Sequence, residues 1–206
     1  MNSAPTFDRV YARIRGRILT GWWRPSARID LASLADDLSV SITPVRDALY
    51  RLVGERLIVA GVSEGFVLPN LTEPDLRGRY QWNQMLILLA LESMTKSPRG
   101  LLAPLLEHVE LETRSARLFR DIAKATEHSE LIAAVDAISD RLSYARAIEV
   151  KLGIVTLDEM TALLHALADG TPATRRAAII RYHRRRLQQC GRIVETIYRA
   201  PEPDYL

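Results

Sequence analysis

The chain has 206 residues, 48% hydrophobic and 26% charged, with a formal net charge of +3, enough for two modest domains with real cores and too little charge for anything but local basic character. No apolar run reaches eighteen residues, and the opening MNSAPTFDRVYARIRGR is charged where a signal peptide needs an apolar stretch, so neither membrane insertion nor export is indicated and the cytoplasm is expected. One cysteine, Cys190, excludes an intramolecular disulfide and a cysteine-based zinc cluster, and is expected to fill a core.

A first helix is expected over roughly 7–19, burying Val10, Ile14 and Ile18 at four-residue steps. Arg9, Arg13, Arg15, Arg17, Arg24 and Arg28 crowd this helix and its exit; they suit phosphate neutralisation, or simply a solvated face. Trp22 and Trp23, between Gly21 and Pro25, are expected to seal the junction between this core and the rest of the molecule, with stacking on bases as the competing reading.

Next, Asp30 stands where an N-cap belongs and Leu31, Leu34, Ala35 and Leu38 recur at helical intervals. Ser39-Val40-Ser41 breaks the pattern, and a further helix opens with Ser41 as N-cap, Pro44 in its first turn, and Val45, Ala48, Leu49 and Leu52 on one face. Two short helices so briefly joined cross steeply, as in a helix-turn-helix. Ser41, Ile42, Thr43 and Arg46 then point outward near the N-terminus of the second, where such motifs meet base edges and phosphates. Leu57–Ala60 and Phe66–Leu68, flanking Gly61-Val62-Ser63-Glu64-Gly65, predict a two-stranded hairpin, the wing.

From Val10-Tyr11 through Leu34-Ala35-Asp36-Asp37-Leu38, Val40-Ser41 and Thr43-Pro44-Val45-Arg46 to Leu52, Glu55 and Gly65-Phe66-Val67, the chain resembles the GntR-type winged helix-turn-helix regulators. The resemblance implies a dimeric repressor or activator whose N-terminal domain binds a palindromic double-stranded DNA operator and whose C-terminal domain binds a small molecule. It implies contacts to bases or phosphates from Thr43 and Arg46, a phosphate-binding N-cap at Ser41, and a wing-tip glycine at Gly65 near the minor groove. Two departures alter direct readout. Ile42 replaces an arginine common in the family and can touch a thymine methyl but cannot fork onto guanine, and Ala32 stands where some members carry another arginine. Arg46 pairing with a nearby carboxylate is the competing structural reading.

Asn70-Leu71-Thr72 marks a linker, and Thr72-Glu73-Pro74-Asp75 supplies an N-cap, an early proline and a capping-box acid. The expected division is a DNA-binding domain over 1–69, a linker over 70–73, an all-helical domain over 74–199 and a tail over 200–206. Helical runs are expected over about 73–95, 100–119, 121–137, 139–152, 157–168 and 172–198, and no useful strand pattern occurs among them. The fold class is therefore mainly α, a winged helix-turn-helix followed by an all-α bundle.

This bundle resembles, in pieces, the effector domain called FCD of the FadR-like subgroup, through Ala166-Leu167-Ala168-Asp169-Gly170, Ala177-Ala178 and Tyr182-His183. The resemblance implies an aspartate and three histidines holding a divalent metal that helps bind a small organic acid. His183 falls at the last position, but Thr161 falls at the middle one, and the first two align with Thr126 and Glu130, or with Lys124 and His128 if two residues are inserted. One or two ligands do not make a stable site, so no metal is expected; an altered site using Glu130 and His165 is the competing reading. A metal-free effector pocket is expected around Asn83, Glu130, Arg141, Thr161 and His183. Trp82, Asn83 and Gln84 stand where the subgroup often carries an acid-gripping arginine.

Met85, Leu86, Leu88, Leu89 and Leu91 make the first bundle helix apolar almost all round, which predicts a homodimer through it. Arg175, Arg176, Arg181, Arg184, Arg185, Arg186 and Arg192 on the last helix read as a solvated face. Neither a nucleophile motif nor a glycine-rich phosphate loop occurs, so an enzyme is not expected. The function expected is a ligand-responsive, DNA-binding transcriptional regulator; the alternative is a winged-helix protein-interaction module, motivated by Ile42 and Ala32.

Overall fold

Val10, Ile14 and Ile18 line the inner face of the first helix, α1 (Ser3–Leu19), where Ile14 is sealed completely. A computed structural model describes residues 3–61, 65–94 and 110–199, which divide into one unit ending at Leu71 and another spanning Thr72–Arg199.

In the first unit, α2 (Leu31–Asp37) is capped by the Asp30 carboxylate, which accepts from Ser33 N at 2.6 Å. The α2 helix ends as Ser39 turns into the left-handed region at φ 53°, while Val40 N donates to Ala35 O at 3.0 Å. α3 (Ile42–Gly54) follows directly and buries Val45, Ala48, Leu49 and Leu52 against α1. Val45, Leu49 and Leu52 each contribute about 1.5–3 kcal/mol on burial, so this face fixes the orientation of α3. Two polar ties add to it. Tyr11 donates to Glu55 Oε1 at 2.7 Å under the Arg51 guanidinium, and Arg17 pairs with Asp37 at the end of α2.

The wing has three strands, not the two expected. β2 (Val59–Gly61) and β3 (Gly65–Val67) pair antiparallel, and β1 (Arg28–Ile29) adds to the other edge of β3 in the order β1-β3-β2. Ile29 faces Phe66 and Arg28 faces Val67. Two residues are too short to show an alternating pattern, so β1 left no signal in the sequence. The turn at 62–64 lies outside the described residues.

The second unit is helical throughout its described residues. α4 (Glu73–Ser93) opens with a complete capping box between Thr72 and Asp75. α5 (Leu111–Lys124), α6 (Ser129–Lys151), α7 (Leu157–Asp169) and α8 (Pro172–Arg199) complete it. The expected break near 120 lies instead at 125–128. There Glu127 adopts φ 58° and His128 caps α6, its Nδ1 accepting from Leu131 N at 3.3 Å. The expected break at 138 does not occur, because Ile138, Leu142 and Ala145 continue one buried stripe and Ser139 and Asp140 are tolerated within the helix. Gly170 ends α7 where a Cβ would meet Ala166 O at 2.2 Å, so only glycine fits. The part of the 100–119 run before Glu110, and the tail over 200–206, lie outside the described residues.

Candidate functional site

The outer edge of α3 begins at Ser41, which holds the N-cap position at φ −74° and ψ 164°, yet its side chain makes no capping hydrogen bond. The first-turn N–H groups of α3 are thus left for an external acceptor, and the helix dipole favours an anion there. Ser41, Ile42, Thr43 and Arg46 are all exposed. The competing reading of Arg46 fails: it forms no ion pair with any described residue.

Arg9 and Arg13 stand one turn apart on α1, both exposed and without an ionic partner among the described residues. They line a groove of about 300 Å³ with Asp37 and Leu38. Asp37 is already paired to Arg17, so the uncompensated charge of this groove is positive. Arg17 also lies over the Trp22 ring at 4.8 Å, and Trp23 packs on the core. Gly65 opens β3 at φ 68°, a conformation that favours glycine, in open space. Tyr50 joins this edge: it is 58% exposed, lies one turn beyond Arg46, and its ring meets Phe66 edge-on at 5.1 Å. The 42/46/50 spacing was its only signal.

Among the expected pocket residues, Asn83 and His183 are buried and bonded to each other: His183 Nδ1 faces Ile179 O at 2.9 Å and Nε2 faces the Asn83 amide at 3.0 Å. Burial lowers the His183 pKa from 6.5 to about 3, with Arg186 and Arg146 adding to the effect against the Ile179 bond, so the ring is neutral. A carbonyl can only accept, so Nδ1 carries the proton and Nε2 needs a donor. The Asn83 amide therefore presents its nitrogen to the ring. Glu130 is exposed in the first turn of α6 and Thr161 is half-buried on α7; neither is bonded to His183. The Arg141 carbonyl accepts from Arg79 Nη1 at 2.9 Å.

A divalent metal does not fit this donor set. Both His183 nitrogens are committed within the protein, and His165 is exposed on α7 near Asp169. His128 serves as a helix cap, and no cluster of three or more His, Cys, Asp or Glu suited to a metal occurs among the described residues.

Arg186 corrects the solvated-face expectation for α8. It is fully buried, donating from Nε to Glu149 at 2.9 Å and from Nη1 and Nη2 to Glu159 at 2.6 and 2.9 Å, with its guanidinium 3.5 Å from the Tyr182 ring centroid. Tyr80 donates to the second oxygen of Glu149. Burial alone would lower the Arg186 pKa, but Tyr182, Glu149 and Glu159 together raise it above its ordinary value. The Cys190 thiol donates to Arg186 O at 3.4 Å and is pushed up to about 11 by burial, which keeps it inert.

Residues 6–68 match the family described as bacterial regulatory proteins, gntR family. The chain is 33% identical over 101 residues to the HTH-type transcriptional regulator McbR of Escherichia coli K12, covering 47% of this chain and 46% of that protein. It is 29% identical over 128 residues to the HTH-type regulator YdhC of Bacillus subtilis, covering 62% of this chain and 55% of that protein. The chain thus spans about half the length of these two curated relatives. The Nta operon transcriptional regulator of Aminobacter aminovorans is 29% identical over 160 residues, 71% of this chain and 76% of that one.

Among solved structures, a GntR regulator from Rhodococcus sp. RHA1 superposes with a TM-score of 0.77 at 17% identity, over 90% of this chain and 97% of that one. E. coli McbR/YncC gives 0.68 at 22% identity, over 93% and 98%. These likenesses show the fold, helical second unit included. Residues 6–68, which fold as the winged helix-turn-helix, thus match the gntR family of bacterial regulatory proteins.

Proposed function

We propose that this protein is a dimeric transcriptional regulator that binds an operator in double-stranded DNA, with an affinity modulated by a small molecule in the helical domain. One observation carries the reading: the outward edge of α3 presents Ser41, Ile42, Thr43 and Arg46 to solvent, with Arg46 unpaired among the described residues. That edge enters the major groove, Ile42 against a thymine methyl and Arg46 on a base edge or phosphate. Arg9 and Arg13 neutralise phosphates alongside, and Gly65 brings the wing backbone to the minor groove.

Dimerisation uses α4, where Trp82, Met85 and Leu89 form an exposed apolar stripe at helical spacing. A dimer presents two recognition helices, and only half-sites about one helical repeat, ~34 Å, or a multiple apart engage both. A ligand that prefers one dimer geometry shifts operator affinity by its differential binding energy.

The test is binding to the protein's own upstream region across a salt series. A regulator loses affinity linearly in log–log form as salt rises; absence of binding at low salt would favour the protein-interaction module instead.

A further inference from the structure

We infer that the cleft between α7 and α8 binds a small zwitterion, an α-amino acid or similar amine-bearing carboxylic acid, and that this is the effector site of the helical domain; the inference rests on the ligand-responsive reading above. The cleft measures about 540 Å³. Leu163 and Ala178 give it apolar lining, Asp158 and Glu159 come from α7, and Arg181 and Arg185 come from α8. Asp158 and Arg181 are both exposed, and neither forms an ion pair with any described residue. The two helices thus hold Asp158 and Arg181 in one cleft without pairing them with each other.

Glu159 is already committed, both oxygens accepting from the buried Arg186, with Arg185 3.9 Å away. That leaves Asp158 for a ligand ammonium and Arg181 for a ligand carboxylate. A simple anion would meet Asp158 and Glu159, and a simple cation would meet the two arginines. Only a molecule carrying both charges satisfies both sides.

Deeper in the bundle, His183 is bonded to Asn83 and to the Ile179 carbonyl, and Arg186 is held by two carboxylates. The cleft is also wired to the helix assigned to dimerisation. Glu159 bonds Arg186, Arg186 bonds Glu149, and Glu149 accepts from Tyr80 on α4. A ligand seated between Asp158 and Arg181 lies against Glu159, the first member of this chain of hydrogen bonds to α4.

The test is calorimetric titration of the full chain with each proteinogenic amino acid, followed by the N-acetyl and methyl-ester derivatives of the best binder. We expect saturable binding, weakened about tenfold or more by either derivative. Arg181→Gln should remove the preference for the free carboxylate, and Asp158→Asn the preference for the free amine, with thermal melts unchanged at these exposed positions. No binding, binding indifferent to both variants, or equal binding of the N-acetyl derivative overturns the proposal.

Operator binding without amino acid is measured separately. If it is present but shifts only with molecules that ignore both variants, the cleft proposal fails and the regulator stands. If it is absent while charge-dependent amino-acid binding persists, the regulator reading fails and the zwitterion site stands.

Discussion

Arg186 and Glu149 form an ion pair closed off from solvent, Nε to Oε2 at 2.9 Å with side chains 0% and 1% exposed. Its value lies in completeness: Glu149 also accepts from Tyr80, while Arg186 spends its remaining donors on Glu159 and the Tyr182 carbonyl. Glu149→Ala leaves the guanidinium half-paired in the core and should cost about 3–5 kcal/mol. Glu149→Leu combined with Arg186→Met removes both charges and should cost markedly less. Urea unfolding of the two variants checks the difference.

His183 makes the protein acid-sensitive. Its pKa is about 3 when folded against an ordinary 6.5, so between these values the unfolded chain binds a proton that the folded chain refuses. The contribution is therefore intact above pH 6.5 and is lost as pH falls toward 3. Its slope is about 1.4 kcal/mol per pH unit for one proton. His183→Gln cannot titrate, and its stability, followed by denaturant melts between pH 6 and 4, should fall less steeply than wild type by up to that slope. Parallel curves would mean that the buried ring already takes a proton in the folded state.

The N-terminal unit was legible because its information is local. Periodic apolar positions, the Asp30 cap, the break before Ser41 and the wing glycine each announce themselves within a few residues, and the structure places Val45, Ala48, Leu49 and Leu52 on the inner face as their spacing requires. The Ser41 cap bond and strand β1 were not legible: the first depends on a rotamer, the second on pairing with a distant strand. In the bundle, Arg186 was misread because its charge outweighed its position. It falls on the stripe Ile179, Tyr182, His183, Cys190, Ile193 and Ile197, and periodicity alone would have placed it inside. Its partners lie on α6 and α7, far away in sequence, so no local pattern could name them.

Operator contact should depend on Arg46 and be improvable at Ile42. Arg46→Ala removes an exposed cation without breaking any ion pair to a described residue, so it should weaken binding by about 1–3 kcal/mol, or lower the salt slope by about 1 if its partner is a phosphate. Ile42→Arg restores a fork able to read guanine O6 and N7 and should shift the preferred sequence at one position of each half-site. Selection from a randomised operator library would show the shift; an unchanged consensus would mean that Ile42 does not face bases.

Dimerisation is expected through α4, whose inner residues Leu86, Ile87 and Ala90 are buried in its own unit while Met85 and Leu89 remain 60% and 51% exposed beside Trp82. A helix apolar on its inner face needs no second apolar stripe to fold, and such a stripe left in water favours association. Met85→Lys together with Leu89→Lys places positive charge on both sides of a two-fold interface whichever of the two positions face each other, and should leave a folded monomer, since neither side chain supports the core. Light scattering should read half the wild-type mass, with helical content unchanged by circular dichroism. Operator affinity should fall to that of an isolated half-site, because each recognition helix then binds without the entropic help of its twin. A variant that still runs as a dimer would move the interface off α4, and half-site spacing would then have to be set by another face of the bundle.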